Sequence, residues 1–326
     1  MRKQKLIKVA GYAAFGGVSL LLFFYFTFPA EAVGLRLVQE VQNMTGGDVT
    51  VSFDHVSLHR LSGISAEGVK IRKANDTGEV LELEVDEVTA RLQLLSLLLL
   101  KVSTRVDVEI GEGGISALVT KTDDAVEIDL EIDAFDLAAV PALSKMAGLP
   151  LRGEIAGDLT VSVGFGSQGK GKTPLANQNQ IAPERSEGEG KIEVKGLSFG
   201  PGAVAGFTIP TAVSLGEIAI GLEMKRGRAE LTSLEQSGGD LSLQGTGSVN
   251  LRQSLRMSNL DTCLKLKVDE SFSKKHPKLD SALQLAQVRF KKDGNGFINI
   301  KLGGKLTSPK PQRGLCQAER PKRERD

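Results

Sequence analysis

One segment carries the spacing of a phosphate-binding loop. Residues 166–173 read GSQGKGKT and match the pattern G-x-x-x-x-G-K-[ST], whose fixed positions are Gly166, Gly171, Lys172 and Thr173. A working loop of this kind needs a helix that opens at the Ser or Thr, because the N-terminal amides of that helix hold the phosphates. The segment from Leu175 to Pro183 is rich in amides and has no apolar face to bury. We interpret the match as a chance occurrence in a Gly- and Lys-rich linker, and we expect no nucleotide and no other cofactor.

The remaining polar side chains form no catalytic pattern. The chain has 3 His, and His55 and His59 lie four residues apart in a strand-like segment where the spacing fixes no third metal ligand. The acidic pair Asp123-Asp124 falls on an expected turn or solvated strand face, and no nucleophile elbow or Ser-His-Asp pattern is present. We therefore expect no metal site, and the sequence favours a protein that is not an enzyme.

Cys263 and Cys316 are the only cysteines in the chain. Their even number is compatible with one disulfide in an oxidising compartment, which would join the charged C-terminal tail to the last strands. Because the sequence does not give the distance between the two residues, a disulfide and two free thiols both stay open.

The first 30 residues have the pattern of a membrane anchor. Four basic residues precede an uncharged stretch from Val9 to Ala30, about 22 residues, which is long enough to cross a hydrocarbon core of about 30 Å as a helix. Basic residues stay on the cytoplasmic side, so we expect a single pass with a cytoplasmic N-terminus and most of the chain in the periplasm. The anchor positions are Val9, Leu20, Leu21, Leu22, Phe23, Phe24, Phe26 and Phe28.

A cleaved signal peptide is the alternative interpretation of the same residues. Ala30-Glu31-Ala32 resembles a small-x-small cleavage site. The apolar stretch is longer than the usual signal core of about 7–15 residues and ends in the bulky residues FFYFTF, so the sequence favours an uncleaved anchor.

Beyond a short amphipathic helix predicted at Val33–Met44, the chain alternates apolar and polar residues with the period of β-strands. The 37 Gly supply the turns between strands. Two further short helices are predicted at Ala138–Ala147 and Lys278–Ala286, and Leu92–Leu100 is interpreted as a buried corner or a membrane or partner contact. The fold class is therefore mainly β, with an N-terminal transmembrane helix and a few short helices.

The alternation places a set of apolar side chains on one face of the first strands. These candidate groove residues are Leu81, Leu83, Val85, Val106, Val108, Ile110, Ile128, Leu130 and Ile132. Such a face must be covered. Either a second sheet closes over it as a sandwich core, or an open groove remains that accepts acyl chains.

Composition divides the chain into five segments. They are a basic end and anchor at 1–30, a first β-rich half at 31–163, a flexible polar loop at 164–190, a second β-rich half at 191–310 and a charged, disordered tail at 311–326. With 41 basic and 40 acidic residues the net charge is +1, which argues against nucleic acid as a partner.

Several segments resemble the GspN proteins of type II secretion systems, which are similar to AsmA-like repeat proteins. They include an anchor that ends in FPAEA, residues 49–73 (VTVSFDHVSLHRLSGISAEGVKIRK), residues 81–119, residues 238–251 (GGDLSLQGTGSVNL) and residues 274–311. The resemblance implies an elongated, curved antiparallel sheet with an apolar concave face. It also implies a location in the inner membrane of a Gram-negative bacterium and an accessory role beside other type II secretion subunits.

Two functions follow as hypotheses. The first is a non-enzymatic accessory or structural component of a type II protein secretion system, anchored in the inner membrane with its bulk in the periplasm. The alternative is an AsmA-like lipid-binding or lipid-transfer module of envelope biogenesis, with phospholipid as its ligand.

Overall fold

The computed structural model describes most of the chain between residues 11 and 316. The described residues are 11–12, 15–17, 19, 23, 25–27, 29–45, 49–60, 62–74, 80–94, 96, 101–165, 181–204, 207–253, 257–275, 293–306, 308–312 and 316. The phosphate-loop match at 166–173, the predicted helix at Lys278–Ala286 and most of the tail at 311–326 lie outside them. So do Val9, Leu20, Leu21, Leu22, Phe24 and Phe28 of the predicted anchor.

The protein is mainly β, as its alternation predicts. The strands are β1 (Val49–Ser52), β2 (His55–His59), β3 (Gly63–Ala74), β4 (Val80–Leu92), β5 (Val102–Ile110), β6 (Gly113–Lys121), β7 (Ala125–Asp136), β8 (Leu151–Gly164), β9 (Glu187–Phe199), β10 (Gly202–Val204), β11 (Phe207–Ile209), β12 (Val213–Lys225), β13 (Arg228–Ser237), β14 (Leu241–Asn250), β15 (Asn259–Val268), β16 (Ile298–Lys305) and β17 (Ser308–Gln312). The helices are α1 (Ala30–Thr45), α2 (Pro141–Ala147) and α3 (Glu270–Lys275), with 3₁₀ turns at Leu137–Ala139 and Pro183–Arg185.

Fifteen strands form one antiparallel sheet. Its order is β1-β3-β4-β5-β6-β7-β8-β9-β12-β13-β14-β15-β16-β17, with β2 paired to β3 beside β1. β10 and β11 pair with each other as a separate two-stranded sheet. Because neighbours in the sheet are almost always neighbours in sequence, the sheet is a meander built from hairpins.

The two β-rich halves meet inside this sheet, through the pairing of β8 with β9. The predicted loop at 164–190 overlaps both strands, since β8 ends at Gly164 and β9 begins at Glu187. The glycines that suggested a linker belong partly to β9, where Gly190 lies opposite Leu159. A Cβ at Gly190 would come within 2.6 Å of Leu159 Cδ1, so the glycine makes room for the leucine side chain.

The helical predictions have different outcomes. The helix expected at Val33–Met44 is present as α1, and the segment expected at Ala138–Ala147 forms a 3₁₀ turn followed by α2. The described residues between 11 and 27 are helical, and Thr27 Oγ1 donates a hydrogen bond to the carbonyl oxygen of Phe23. Within the described part of the chain, no helix has both the length and the hydropathy that crossing a membrane requires.

The main core lies under α2 at one end of the sheet. Leu137, Val140 and Ala142 pack against Val85 and Ile110, and all five are buried. Around them lie Val69 and Phe135. The Asp136 carboxylate accepts a hydrogen bond from the Ala138 amide, which starts the 3₁₀ turn. Gly148, at φ 71°, ends α2 in the left-handed conformation that favours glycine.

A second, smaller core lies at the same end of the strands. Phe272 of α3 packs against Val213, which begins β12. Phe199 pairs with both Val213 and Leu151, so this core and the one under α2 share one end of the sheet. We call the end of the sheet that carries both cores the closed end. The other end of the same strands is called the open end.

Shortening a valine in the main core tests this packing. Val85 is 2% exposed, so Val85→Ala removes buried contacts and is expected to lower the free energy of unfolding by about 2 kcal/mol. Val80 begins the same strand and is 53% exposed, so Val80→Ala is expected to change the free energy of unfolding by less than about 0.5 kcal/mol. Thermal unfolding of the full-length variants, followed by circular dichroism, measures both. Equal losses of stability would contradict this description of the core.

Candidate apolar ligand-binding face

One face of the sheet is apolar across many strands, because the register of the hairpins pairs apolar residues with apolar residues or glycines. Val106 pairs with Ala117, Ala117 with Leu130, and Leu130 with Leu159. The row continues from Leu159 through Gly190, Leu222 and Leu231, so it crosses the sheet from β5 to β13. We call this side the apolar face.

Parallel rows extend the apolar face toward both strand ends. One row runs through Ile115, Ile132, Gly157, Ile192, Ile220 and Leu234. Another runs through Val119, Ile128, Val161, Gly188, Met224, Ala229, Val249 and Leu260. Farther along the sheet, Leu264 pairs with Ile300, so the pattern reaches β16.

The opposite side of the sheet is polar at the same register positions. Arg105, Leu118, Asp129, Thr160 and Glu189 form the row beside the central apolar one. Thr160 Oγ1 donates a hydrogen bond of 3.0 Å to Asp129 Oδ1. Side chains on this polar face therefore find charged or hydroxyl partners across the strands, and Leu118 is an apolar residue among them.

Exposed ion pairs lie on the polar face. Lys191 Nζ lies 3.1 Å from Glu193 Oε1, and this hydrogen-bonded carboxylate raises the pKa of Lys191. Lys70 with Glu84 and Arg72 with Glu82 form similar pairs between β3 and β4. Exposed pairs of this kind contribute little to stability, so their main effect is to keep this face solvated.

The apolar face is only partly buried away from the closed end. Val106, Ala117, Leu130, Leu159 and Leu222 are each intermediate in burial, since cross-strand neighbours shield their flanks. The segments around α2 and α3 cover this face at the closed end, and toward the open end Met224 of the same face is also buried. A contiguous apolar surface that stays partly exposed is a candidate for binding a ligand or partner.

The candidate groove residues divide into three groups. Val85 and Ile110 are buried beneath α2, so they belong to a closed core, which is one of the two arrangements that the sequence left open. Val106, Ile128 and Leu130 lie on the open part of the apolar face.

The remaining candidates lie between these groups. Leu83, Val108 and Ile132 pack against the edge of the core, and Leu81 is partly buried opposite Lys73.

The face changes sides along β4. Val88 of β4 pairs with Val108 of β5. Val85, three residues earlier in β4, nevertheless packs in the same hydrophobic core as Val88. Strict alternation would put these two valines on opposite faces, so it is interrupted at Asp86 and Glu87. Gly68, on the facing strand, has φ 61°, and such a local irregularity cannot be seen from alternation alone.

The candidate groove residues predicted from the sequence do not include the second half of the apolar face. Ile192, Ile220, Leu222 and Leu264 carry the same alternation and continue the same rows. Their two-residue period is present in the sequence. The glycine-rich segment before β9, however, predicted a flexible loop that would separate the two β-rich halves. The β8–β9 pairing removes that interruption.

The two cysteines form a disulfide. Cys263 of β15 is bonded to Cys316, with a Cα–Cα distance of 5.7 Å. The Cys316 amide donates a hydrogen bond of 3.1 Å to Oδ1 of Asn299, which is buried beside them. The bridge therefore fixes residue 316 against the last strands of the sheet.

The other candidate chemistry is not assembled in the described part of the chain. His55 is exposed on β2, and His59 ends that strand, partly buried. Among the described residues, no group of three or more His, Cys, Asp or Glu is placed to hold a metal ion. Asp124 forms an ion pair with Arg185 across the open end of the sheet.

Alkylation of the cysteines tests the disulfide directly. In the full-length protein, denatured without reductant, neither cysteine is expected to react with iodoacetamide, and both are expected to react after reduction. Cys316→Ser serves as the control, because it should expose Cys263 to alkylation before any reduction. Alkylation of either cysteine in the unreduced wild-type protein would contradict the bridge.

No protein-family model, no curated protein and no solved structure matches this chain. The apolar face and the chemistry at its rim are therefore the basis for a functional proposal.

Proposed function

We propose that this chain is a non-enzymatic, single-pass protein of the bacterial inner membrane that acts by contact. The apolar face carries the proposal, because it is broad, continuous across strands and only partly covered. The uncharged stretch from Val9 to Ala30 supplies the anchor and places the sheet in the periplasm.

Within that class, the chain is an accessory or structural component of a type II protein secretion system. The resemblance to GspN proteins supports this role. The resembling segments at 49–73, 81–119 and 238–251 correspond to β1–β6 and β14, all in the single large sheet. The structure has a short helix, α1, directly before the sheet, and the resembling segments also have a short helix before their strands.

Deletion of the gene tests the secretion role. Secretion of folded periplasmic substrates is expected to fall, and a plasmid copy of the wild-type chain should restore it. In-cell crosslinking of the full-length protein should capture another inner-membrane secretion subunit, because the role depends on contact. Normal secretion by the deletion strain, together with no crosslinked secretion subunit, would contradict this role.

The apolar face itself favours a second candidate function, the binding of lipid acyl chains. β8 alone has 14 residues, which span roughly 45 Å at about 3.3 Å per residue, so the face is long enough for extended hydrocarbon. Each methylene group that leaves water on such a surface contributes about 0.8 kcal/mol. An extended chain across several leucines and isoleucines is therefore bound without any polar recognition.

A matched pair of leucines tests this function. Leu130 lies on the apolar face, and Leu118, on the adjacent strand, lies on the polar face. Leu130→Asp is expected to reduce co-purified phospholipid at least tenfold, because it places a charge among the bound acyl chains. Leu118→Asp makes the same chemical change beside Arg105 and Asp129 and should leave lipid content within about twofold of wild type.

Native mass spectrometry of the full-length proteins, released from detergent micelles in the gas phase, measures lipid content. Circular dichroism confirms that both variants are folded. Equal lipid content in the two variants, or a wild-type protein free of lipid, would contradict acyl-chain binding by the apolar face.

A further inference from the structure

An arginine-lined pocket lies at the open end of the sheet. Its volume is about 780 Å³, and Arg226, Arg228 and Arg252 line it, together with the acidic residue Glu184. These side chains come from the β12–β13 turn, the loop after β14 and the 3₁₀ turn before β9. The pocket thus gathers cationic groups from two separate connections, and a third connection contributes Glu184.

Backbone contacts hold these connections together. The Leu251 amide donates a hydrogen bond of 2.7 Å to the Gly227 carbonyl, and the Gly227 amide donates one of 2.9 Å to the Ser186 carbonyl. Gly227 has φ 72°, and a Cβ there would come within 2.7 Å of the Pro183 carbonyl oxygen. The floor of the pocket is therefore built by a close approach that glycine permits.

The charge of the pocket suits an anion with several oxygens. Arg228 Nε lies 2.7 Å from Glu230 Oε1, so one carboxylate partly offsets this guanidinium. Arg226 and Arg252 are exposed, and three guanidinium groups outnumber the one carboxylate that lines the pocket. Guanidinium groups bind phosphate through paired N–H donors, which makes phosphate the best chemical match.

The pocket is continuous with the apolar face. Val249 belongs to the apolar row between Ala229 and Leu260, and Leu251 follows it at the two-residue spacing of the strand. Leu251 and Met257 both line the pocket, and Met257 is 56% exposed. A molecule with a phosphate at one end and hydrocarbon at the other would fit both surfaces at once.

Other exposed apolar residues lie at the same end of the sheet. Leu92 and Leu94, at the end of β4, are 43% and 53% exposed, and Val102, at the start of β5, is 48% exposed. These residues lie several strands away from the pocket along the sheet, so the open end carries apolar residues at β4 and β5 and cationic residues at β12 to β14. Surfaces that contact bilayer headgroups combine both kinds of residue.

The chain also leads its anchor to this end. Gly34 of α1 packs against Phe53 and Val56, although α1 precedes β1 by only residues 46–48. The helix therefore turns back along β1 and β2, and its N-terminal end lies toward His59. His59 pairs with Gly63, which pairs with Arg91 at the open end.

We propose that this pocket binds the phosphate headgroup of an anionic glycerophospholipid taken from the membrane, while the acyl chains lie on the apolar face. The proposal rests on the acyl-chain binding proposed above and adds a headgroup site to it. Free inorganic phosphate could bind the same arginines, because it carries the same oxygens. The test distinguishes it from lipid, since only lipid gains affinity from acyl chains on the apolar face.

Lipid titrations of the full-length protein test the site. Delipidated protein in nonionic detergent is titrated with phosphatidylglycerol, phosphatidylcholine and inorganic phosphate, and bound species are counted by native mass spectrometry. Wild-type protein should bind phosphatidylglycerol at least tenfold more tightly than phosphatidylcholine, because the pocket favours a net negative headgroup. Inorganic phosphate should bind at least 100-fold more weakly than phosphatidylglycerol.

Removal of the arginine charges should abolish that preference. Arg226→Gln, Arg228→Gln and Arg252→Gln together are expected to weaken phosphatidylglycerol binding at least tenfold and to leave phosphatidylcholine within about twofold. Arg252→Gln alone should give a smaller loss in the same direction. The matched control removes three positive charges outside the pocket, at Lys195, Lys305 and Lys310, by substitution with Gln, and should keep the preference.

Three outcomes would overturn the headgroup site. They are equal binding of the two lipids by wild type, a preference that survives the arginine substitutions, and phosphate binding as tight as that of phosphatidylglycerol. If Leu130→Asp still abolishes both lipids in those cases, acyl-chain binding stands and only the headgroup site falls. If wild type binds neither lipid, both proposals fall.

Discussion

The two-residue alternation of side chains, carried from hairpin to hairpin with local interruptions such as that at Asp86 and Glu87, is the constraint on which the sheet depends. A slip of one residue in any hairpin would move every following apolar side chain to the solvated face. Gly190 shows how local detail maintains the register, because its missing side chain accommodates Leu159 between β8 and β9. The result is one sheet in which apolar rows from β5 to β13 face the same side.

A sheet of this width accumulates more apolar surface than its helices cover. α2 and α3 bury the closed end, where Val85, Ile110 and Val213 reach the burial of an ordinary core. Toward the open end the same rows continue with partial exposure, except for the buried Met224, and they finish beside the arginines of the pocket. The fold therefore combines a stabilising core with an apolar surface that stays partly exposed.

The sequence predicts the β class, the position of α1 and the apolar side of the central strands, because each depends on a local period. Val106, Ile128 and Leu130 lie on the open face for that reason. Burial of Val85 and Ile110 could not be predicted, since it depends on how the segment after Asp136 folds back over the sheet. The arginine pocket could not be predicted from the sequence either. Arg226 and Arg252 belong to separate turns, and the register of β12 to β15 brings these turns together.

The central claim is that the apolar face holds acyl chains. Photo-crosslinking tests it most directly, with the full-length protein in nanodiscs that contain a phospholipid bearing a diazirine in its acyl chain, followed by peptide mapping. The account predicts adducts on residues of the apolar face such as Leu130, Leu159 and Leu222, and none on Leu118 of the polar face. Adducts confined to the stretch from Val9 to Ala30 would contradict it, because they would show that lipid meets the anchor and never the sheet.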